Sequence, residues 1–262
     1  MTKKTRFLTV DVGNTQMVFG LYHGDELQAH WRLSSNHHLT SDELSWQLYG
    51  MFSQFKLDAQ ALDGIMIASV VPHLDAVLQE ACLQTCAQDA AFVGSAEVKT
   101  GLAIDYKNPR EVGADRIANA VAARDLYGCP AIVLDCGTAT TFDVISADGH
   151  YVGGLIIPGI EVALEALCQR AAKLPEIALA PVQDLIGRDT VSSMQAGVYW
   201  SAVDGLNGIS QRLLAEDGYA DAHIIATGGL ASRLLDDMPH IKLFEPYLTL
   251  KGLLILAKRH FI

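Results

Sequence analysis

The sequence predicts an α/β protein made from two copies of one unit, and three observations carry that expectation. Half of its 262 residues are apolar and 19% are charged, enough to bury more than one core. Apolar runs of strand length alternate with segments of helical periodicity along the chain. The stretch LTVDVGNTQMVFGLYHGDEL, from Leu8, is echoed by IVLDCGTATTFDVISADGHY, from Ile132. At a shift of 124 residues, Asp11 falls on Asp135, Gly13 on Gly137 and Asn14 on Thr138. One residue of slippage later, the turn at Gly24 matches the turn at Gly149. Each copy reads strand, acidic hairpin bend, strand, polar turn. A shift near half the chain length implies duplication of one α/β unit into two lobes with an intervening cleft. We expect the lobes at residues 1–118 and 119–262.

The remaining elements follow in order. Residues 41–55 start at Ser41 with an imperfect capping pattern and then place Leu44, Leu48, Met51 and Phe55 at helical spacing. GIMIASVV (64–71) reads as a buried strand, and residues 72–88 as a helix opened by Pro72. Residues 109–128 put Val112, Ile117, Val121 and Leu126 at helical intervals and stop at Gly128. Residues 190–216 read as one long helix, and residues 222–235 as a strand, a Gly-Gly turn and a helix.

Composition and missing motifs exclude several classes. The net charge of −11 argues against a protein that grips nucleic-acid backbone, because phosphate binding needs clustered Lys and Arg. The N-terminal residues lack the apolar run of a signal peptide, and no run approaches the roughly 18 residues of a membrane span. Five scattered cysteines in an acidic chain point to a reducing cytoplasm and not to a disulfide framework. There is no G-x-x-x-x-G-K-[ST], no G-x-G-x-x-G, no H-E-x-x-H, no C-x-x-C and no G-x-S-x-G. Cys82 and Cys86 share a helix face as small core residues, and His37 and His38 belong to a polar loop.

What remains is a pair of acidic bends. Backbone N–H groups of Gly13, Asn14 and Thr15 in a tight hairpin can converge on phosphate oxygens without a lysine. Asp11, at the strand end, would hold Mg²⁺ through water, since that ion sheds its hydration reluctantly. In the second bend Asp135 and the hydroxyls of Thr138, Thr140 and Thr141 could meet the same phosphates. The later TGG (227–229) would let a flat ring lie against backbone. Two acidic hairpins and a later glycine pair, in this order, are the plan of the actin, sugar-kinase and Hsp70 nucleotide-binding class. NPREVGADR (108–116) lies between the hairpins, with Asp115 and Asn119 on one helix face. An aspartate projecting there could take a proton from an alcohol that attacks a γ-phosphoryl group. The plainer reading is that Asp115 and Arg116 solvate an amphipathic helix.

DVGNTQMVFGLY, NPREVGADRIANAVAA, DCGTATTFDVI, GGLIIPGIEVALEAL, AAKLPEI, IGRDT and ATGGLA together resemble the type III pantothenate kinases over essentially the whole chain. The resemblance implies two ribonuclease-H-like (actin-like ATPase) lobes and a cytoplasmic homodimer. It also implies ATP-dependent phosphorylation of pantothenate, the first step of coenzyme A biosynthesis. It makes Asp11, Val12, Gly13, Asn14, Thr15, Gln16, Met17 and Val18 the first ATP phosphate loop, with Thr138 also touching ATP. Asp115 becomes the general base, and Gly113, Ala114, Asp115 and Arg116 line the pantothenate site with Tyr106 and Thr190. Asp135 takes the monovalent cation, K⁺ or NH₄⁺, and Mg²⁺ accompanies ATP. The leader Thr2 to Arg6 lies outside the match. On this assignment Arg116 is a candidate partner for the pantothenate carboxylate, and negative neighbours should raise the pKa of Asp115. The alternatives are a non-catalytic regulatory or accessory protein on the same fold, or another phosphotransferase of the superfamily.

Overall fold

The computed structural model describes residues 5–180, 182 and 184–262. Thr2 to Lys4 of the leader lie outside the described residues. In chain order the first elements are β1 (Arg6–Val12), β2 (Gln16–His23), β3 (Glu26–Ser34), α1 (Ser41–Gln54), β4 (Gly64–Ser69), α2 (Pro72–Cys86), β5 (Ala91–Phe92) and α3 (Ala114–Tyr127). They continue as β6 (Ala131–Cys136), β7 (Ala139–Ile145), β8 (Tyr151–Pro158), α4 (Ile160–Arg170), α5 (Thr190–Ala215), β9 (His223–Thr227), β10 (Leu243–Phe244) and α6 (Leu248–Phe261).

The repeat read from the sequence is a repeat of topology. One sheet runs β3-β2-β1-β4-β5 and the other β8-β7-β6-β9-β10, the same order element for element. In each, the first three strands form an antiparallel meander and the last two add in parallel. The meander needs only hairpins, whereas each parallel step needs a crossover, and α1 and α2 supply these in the first sheet.

Two compact units result. One comprises the residues up to Asp125 together with Leu248–Ile262, and the other Leu126–Tyr247. The expected division after residue 118 falls inside α3, whose residues Ile117 to Ala123 are all buried and so cannot be shared out between cores. The C-terminal helix, expected with the second lobe, groups with the first.

In the first unit, α1 and α2 cover one face of the sheet, packing Leu44, Leu48, Phe52, Leu74 and Leu78 against Leu8, Val10, Val12 and Phe19. Full burial of each such side chain contributes about 1.5–3 kcal/mol. Helix α6 also packs on β1, β2 and β4. Leu250 and Thr9 crowd the space where Gly20 has no side chain, and Phe261 stacks on Phe7 at 6.0 Å. Thr249 donates to Asn119 Oδ1 at 2.8 Å, which ties α6 to α3 inside the core.

The helix starts differ by small amounts from the sequence reading. The box that opens α1 begins at Thr40, one residue before Ser41. Thr40 Oγ1 accepts from Glu43 N–H, and Glu43 accepts from Thr40 N–H. The segment 109–128 is two pieces. Asn108 caps a single 3₁₀ turn at Pro109–Glu111, Val112 turns extended, and α3 starts at Ala114. Residues 222–235 deliver the strand β9 and its glycine turn but no α-helix; two 3₁₀ turns, Ala231–Arg233 and Leu235–Asp237, take its place.

In the second unit Ile132, Leu134, Phe142, Tyr199, Val203, Leu206, Ile224 and Ala226 form the core between sheet and α5. Asp189 caps α5, accepting from Ser192 N–H at 2.9 Å. No helix among the described residues is long and apolar enough to cross a membrane.

Candidate active site

The first bend begins where β1 ends. Asp11 is half-buried between the buried Val10 and Val12, and pairs with Val18 across the hairpin. The three expected donors are not equivalent. Gly13 N–H is committed to Gln16 O at 3.0 Å, which leaves Asn14 and Thr15 exposed at the tip. Met17 then turns into the core, and Val18 is half-buried. Ser35, which follows β3, braces the loop from behind. Its hydroxyl donates to Gly13 O at 2.6 Å and its N–H to Thr15 O at 3.0 Å. The sequence reading gave Ser35 no role, because the brace depends on β3 returning beside the bend.

The second bend is one residue shorter. Gly137 N–H bonds Ala139 O at 3.2 Å, and Gly159 N–H bonds Thr138 O at 3.1 Å. Asp135 is half-buried, and of the three threonines offered to phosphate only Thr138 is exposed. Thr140 is buried, and Thr141 Oγ1 donates to Asp143 Oδ2 at 3.4 Å, so neither hydroxyl presents itself as expected. The Cys136 thiol is pushed up to about 12 by burial and then by the Asp135 charge, so it stays protonated and is no thiolate ligand.

The glycine pair also divides its duties. Gly228 has φ +91°, and a Cβ there would meet Cys136 O at 2.5 Å and Asp135 Oδ1 at 2.7 Å. Only glycine lets β9 turn this closely over the end of β6. Gly229 has open space where its side chain would be, so it is the member of the pair against which a flat ring could lie.

The GADR segment is the most constrained part of the site. A Cβ on Gly113 would overlap Asp115 Oδ1, so the glycine is what lets the carboxylate fold back along the chain. That oxygen accepts from Arg116 N–H at 2.8 Å. Burial raises the pKa of Asp115, while the Arg116 hydrogen bond and charge pull against the rise. The direction matches the sequence expectation but the leading cause is desolvation, not like charge. Arg116 is 9% exposed and Asn119 is buried, which removes the reading of a solvated amphipathic face. Ala114 is buried beside them.

Tyr106 is exposed in the loop before this segment. Thr190 opens α5 and lines a groove of about 800 Å³ in the second unit, with Arg188, Asp189, Ser193, Leu167 and Leu174. Arg188 is a groove cation that the sequence reading did not single out.

Two mixed sheets of identical strand order, each with an acid at the end of its first strand and a bend beyond, define an actin-like ATPase or sugar-kinase fold. Solved structures agree. An activator of 2-hydroxyisocaproyl-CoA dehydratase from Clostridium difficile with bound ADPNP superposes with a TM-score of 0.57 at 9% identity, covering 98% of this chain and 94% of that one. MreB 5 of Spiroplasma citri bound to AMPPNP gives 0.53 at 12% identity, covering 97% and 96%.

Within that class the sequence is specific. The profile of the type III pantothenate kinases matches residues 7–212. A type III pantothenate kinase of Moorella thermoacetica is 46% identical over 253 residues, 97% of this chain and 99% of that one. That of Listeria monocytogenes is 43% identical over 253 residues, 97% of each. The chain belongs to the type III pantothenate kinase family.

Proposed function

We propose a set of residue roles for the reaction that the family defines, phosphorylation of pantothenate in coenzyme A biosynthesis. Asp115 accepts the proton of the pantothenate alcohol as its oxygen attacks the γ-phosphorus of ATP. The observation that supports this role is the folded-back, half-buried carboxylate over Gly113, whose pKa burial raises. The bend Asp11 to Val18 takes the ATP phosphates, chiefly at Asn14 and Thr15, and Thr138 also contacts ATP. Gly229 receives the flat base. Tyr106, Gly113, Ala114, Arg116 and Thr190 contact pantothenate, with Arg116 assigned to its carboxylate.

The donor set suits hard cations. Among the described residues no three His, Cys, Asp or Glu side chains group as a metal cage. On this assignment a divalent ion relies on Asp11 with water and phosphate oxygens, which is how Mg²⁺ is commonly held. Asp135 beside backbone carbonyl oxygens is likewise an all-oxygen setting, which fits K⁺ or NH₄⁺. The cations offset the charge gathered by two anionic substrates on an acidic protein. We assign the protein to the cytoplasm as a homodimer, with α5 as its contact surface.

The test is ADP release by purified protein with Mg²⁺ and ATP, with and without pantothenate, in K⁺ and in Na⁺. Turnover should require pantothenate and fall sharply in Na⁺. Asp115→Asn should lose about 10²–10⁴-fold in kcat while ATP still binds. ATP binding without any turnover would identify a non-catalytic accessory protein instead. Equal rates in K⁺ and Na⁺ would remove the role of Asp135.

A further inference from the structure

The turn from β4 to α2, Ser69-Val70-Val71, has no role in the scheme above, yet it touches both halves of the first unit's chemistry. Val70 N–H donates to Val12 O at 3.1 Å, inside the first phosphate loop. On its other side, Val70 Cγ1 lies 3.5 Å from the point a Gly113 Cβ would occupy, the same point that Asp115 Oδ1 overlaps. A branched apolar side chain thus lies beside the Gly113 backbone over which the carboxylate folds, while its own backbone holds the loop. The turn is itself pinned. Ser69 Oγ donates to Asp75 Oδ1 at 2.5 Å and accepts from Val71 N–H at 3.2 Å, so the strand end is latched to the first turn of α2.

We propose that Val70 is a positioning residue for the phosphoryl transfer: the latched turn is a strut that holds Val70 against Asp115, excludes water from its carboxylate and fixes it relative to the phosphate loop. The inference rests on Asp115 being the base. Desolvation as the leading influence on Asp115 agrees with it. Charged and titratable groups also lie on the facing elements. Arg116 follows Asp115 on α3 and favours its charged form. On α2, Asp75 is engaged by Ser69, and His73 stacks on His37 with ring centroids 4.4 Å apart. On β1, Asp11 precedes the Val12 that bonds the turn. None of these can supply the apolar cover that Val70 does.

The test is Val70→Thr, which keeps the branched shape and exchanges a methyl for a hydroxyl. A hydroxyl or the water it recruits favours the carboxylate form. The acid limb of kcat against pH should move down by about half a unit, and the plateau should fall about twofold to threefold as the base weakens. KM for ATP and for pantothenate should stay within about twofold, a split expected of a lost transition-state interaction. Carboxyl-carbon NMR titration of Asp115 without ATP should move in the same direction. Val70→Ile should keep both limb and plateau near wild type. Val70→Ala opens the same space and is read in the same way if the threonine variant does not fold. Limbs and NMR titrations that coincide with wild type in both variants, while Asp115→Asn is inactive, would overturn the role of Val70 and leave the base in place. An active Asp115→Asn would instead remove the base and this inference together.

Discussion

At Asp115 two influences oppose each other. Burial disfavours the charge, the Arg116 amide and guanidinium favour it, and burial wins. A carboxyl whose folded pKa lies above its unfolded value near 3.8 binds more protons folded than unfolded in the window between the two. Its contribution to stability is therefore present below the unfolded value and lost as pH rises through the folded one. Asp115→Asn carries no charge to desolvate, so its melting temperature relative to wild type should rise as pH increases from about 4. Thermal unfolding at several pH values measures this, and a pH-independent difference would show that the carboxylate is not strained by burial. The aspartate was singled out in the sequence because GADR resembles a motif of the family. Val70 and Ser35 were not, since each acts only through a partner far along the chain.

Among the elements, the strand-turn at the end of β9 carries the clearest demand. Gly228→Ala must force a Cβ onto the Cys136 carbonyl at a φ that side chains avoid, and the backbone term alone costs about 1–3 kcal/mol. Denaturant unfolding should show that loss, and ATP affinity should weaken because Asp135 sits under the same atom. An unperturbed variant would mean that the turn can shift freely. The segment after this turn shows how local pattern misleads. The residues after the glycine pair read as a helix up to Leu235, but Pro239 disfavours helical conformation at the residue before it. Met238 is accordingly near extended, with φ −121° and ψ 76°. The hairpins were readable because duplication left the acid and the glycine in register, whereas Thr140 was misjudged because strand alternation turns it into the core and Thr141 because its hydroxyl goes to Asp143.

For the whole molecule, the duplicated topology was legible and the partition was not. By position α6 follows β10 as α3 follows β5, yet it packs on β1 and β4 of the first unit. A repeat in sequence tells which elements correspond, not which sheet each one covers. The proposed homodimer belongs to this scale. On α5, Gly197 and Gly205 are exposed, with open space where side chains would be, so a second helix could approach closely. Sedimentation of the purified protein should give twice the mass of one chain, and a monomer at assay concentrations would remove the proposal. Helix α6 has one more consequence, for biosynthesis. Because this helix is made after every strand of the second unit, translation leaves the first sheet covered by α1 and α2 but without α6 until the nascent chain has passed residue 261. The half emerging earliest from the ribosome is therefore the later one to be completed.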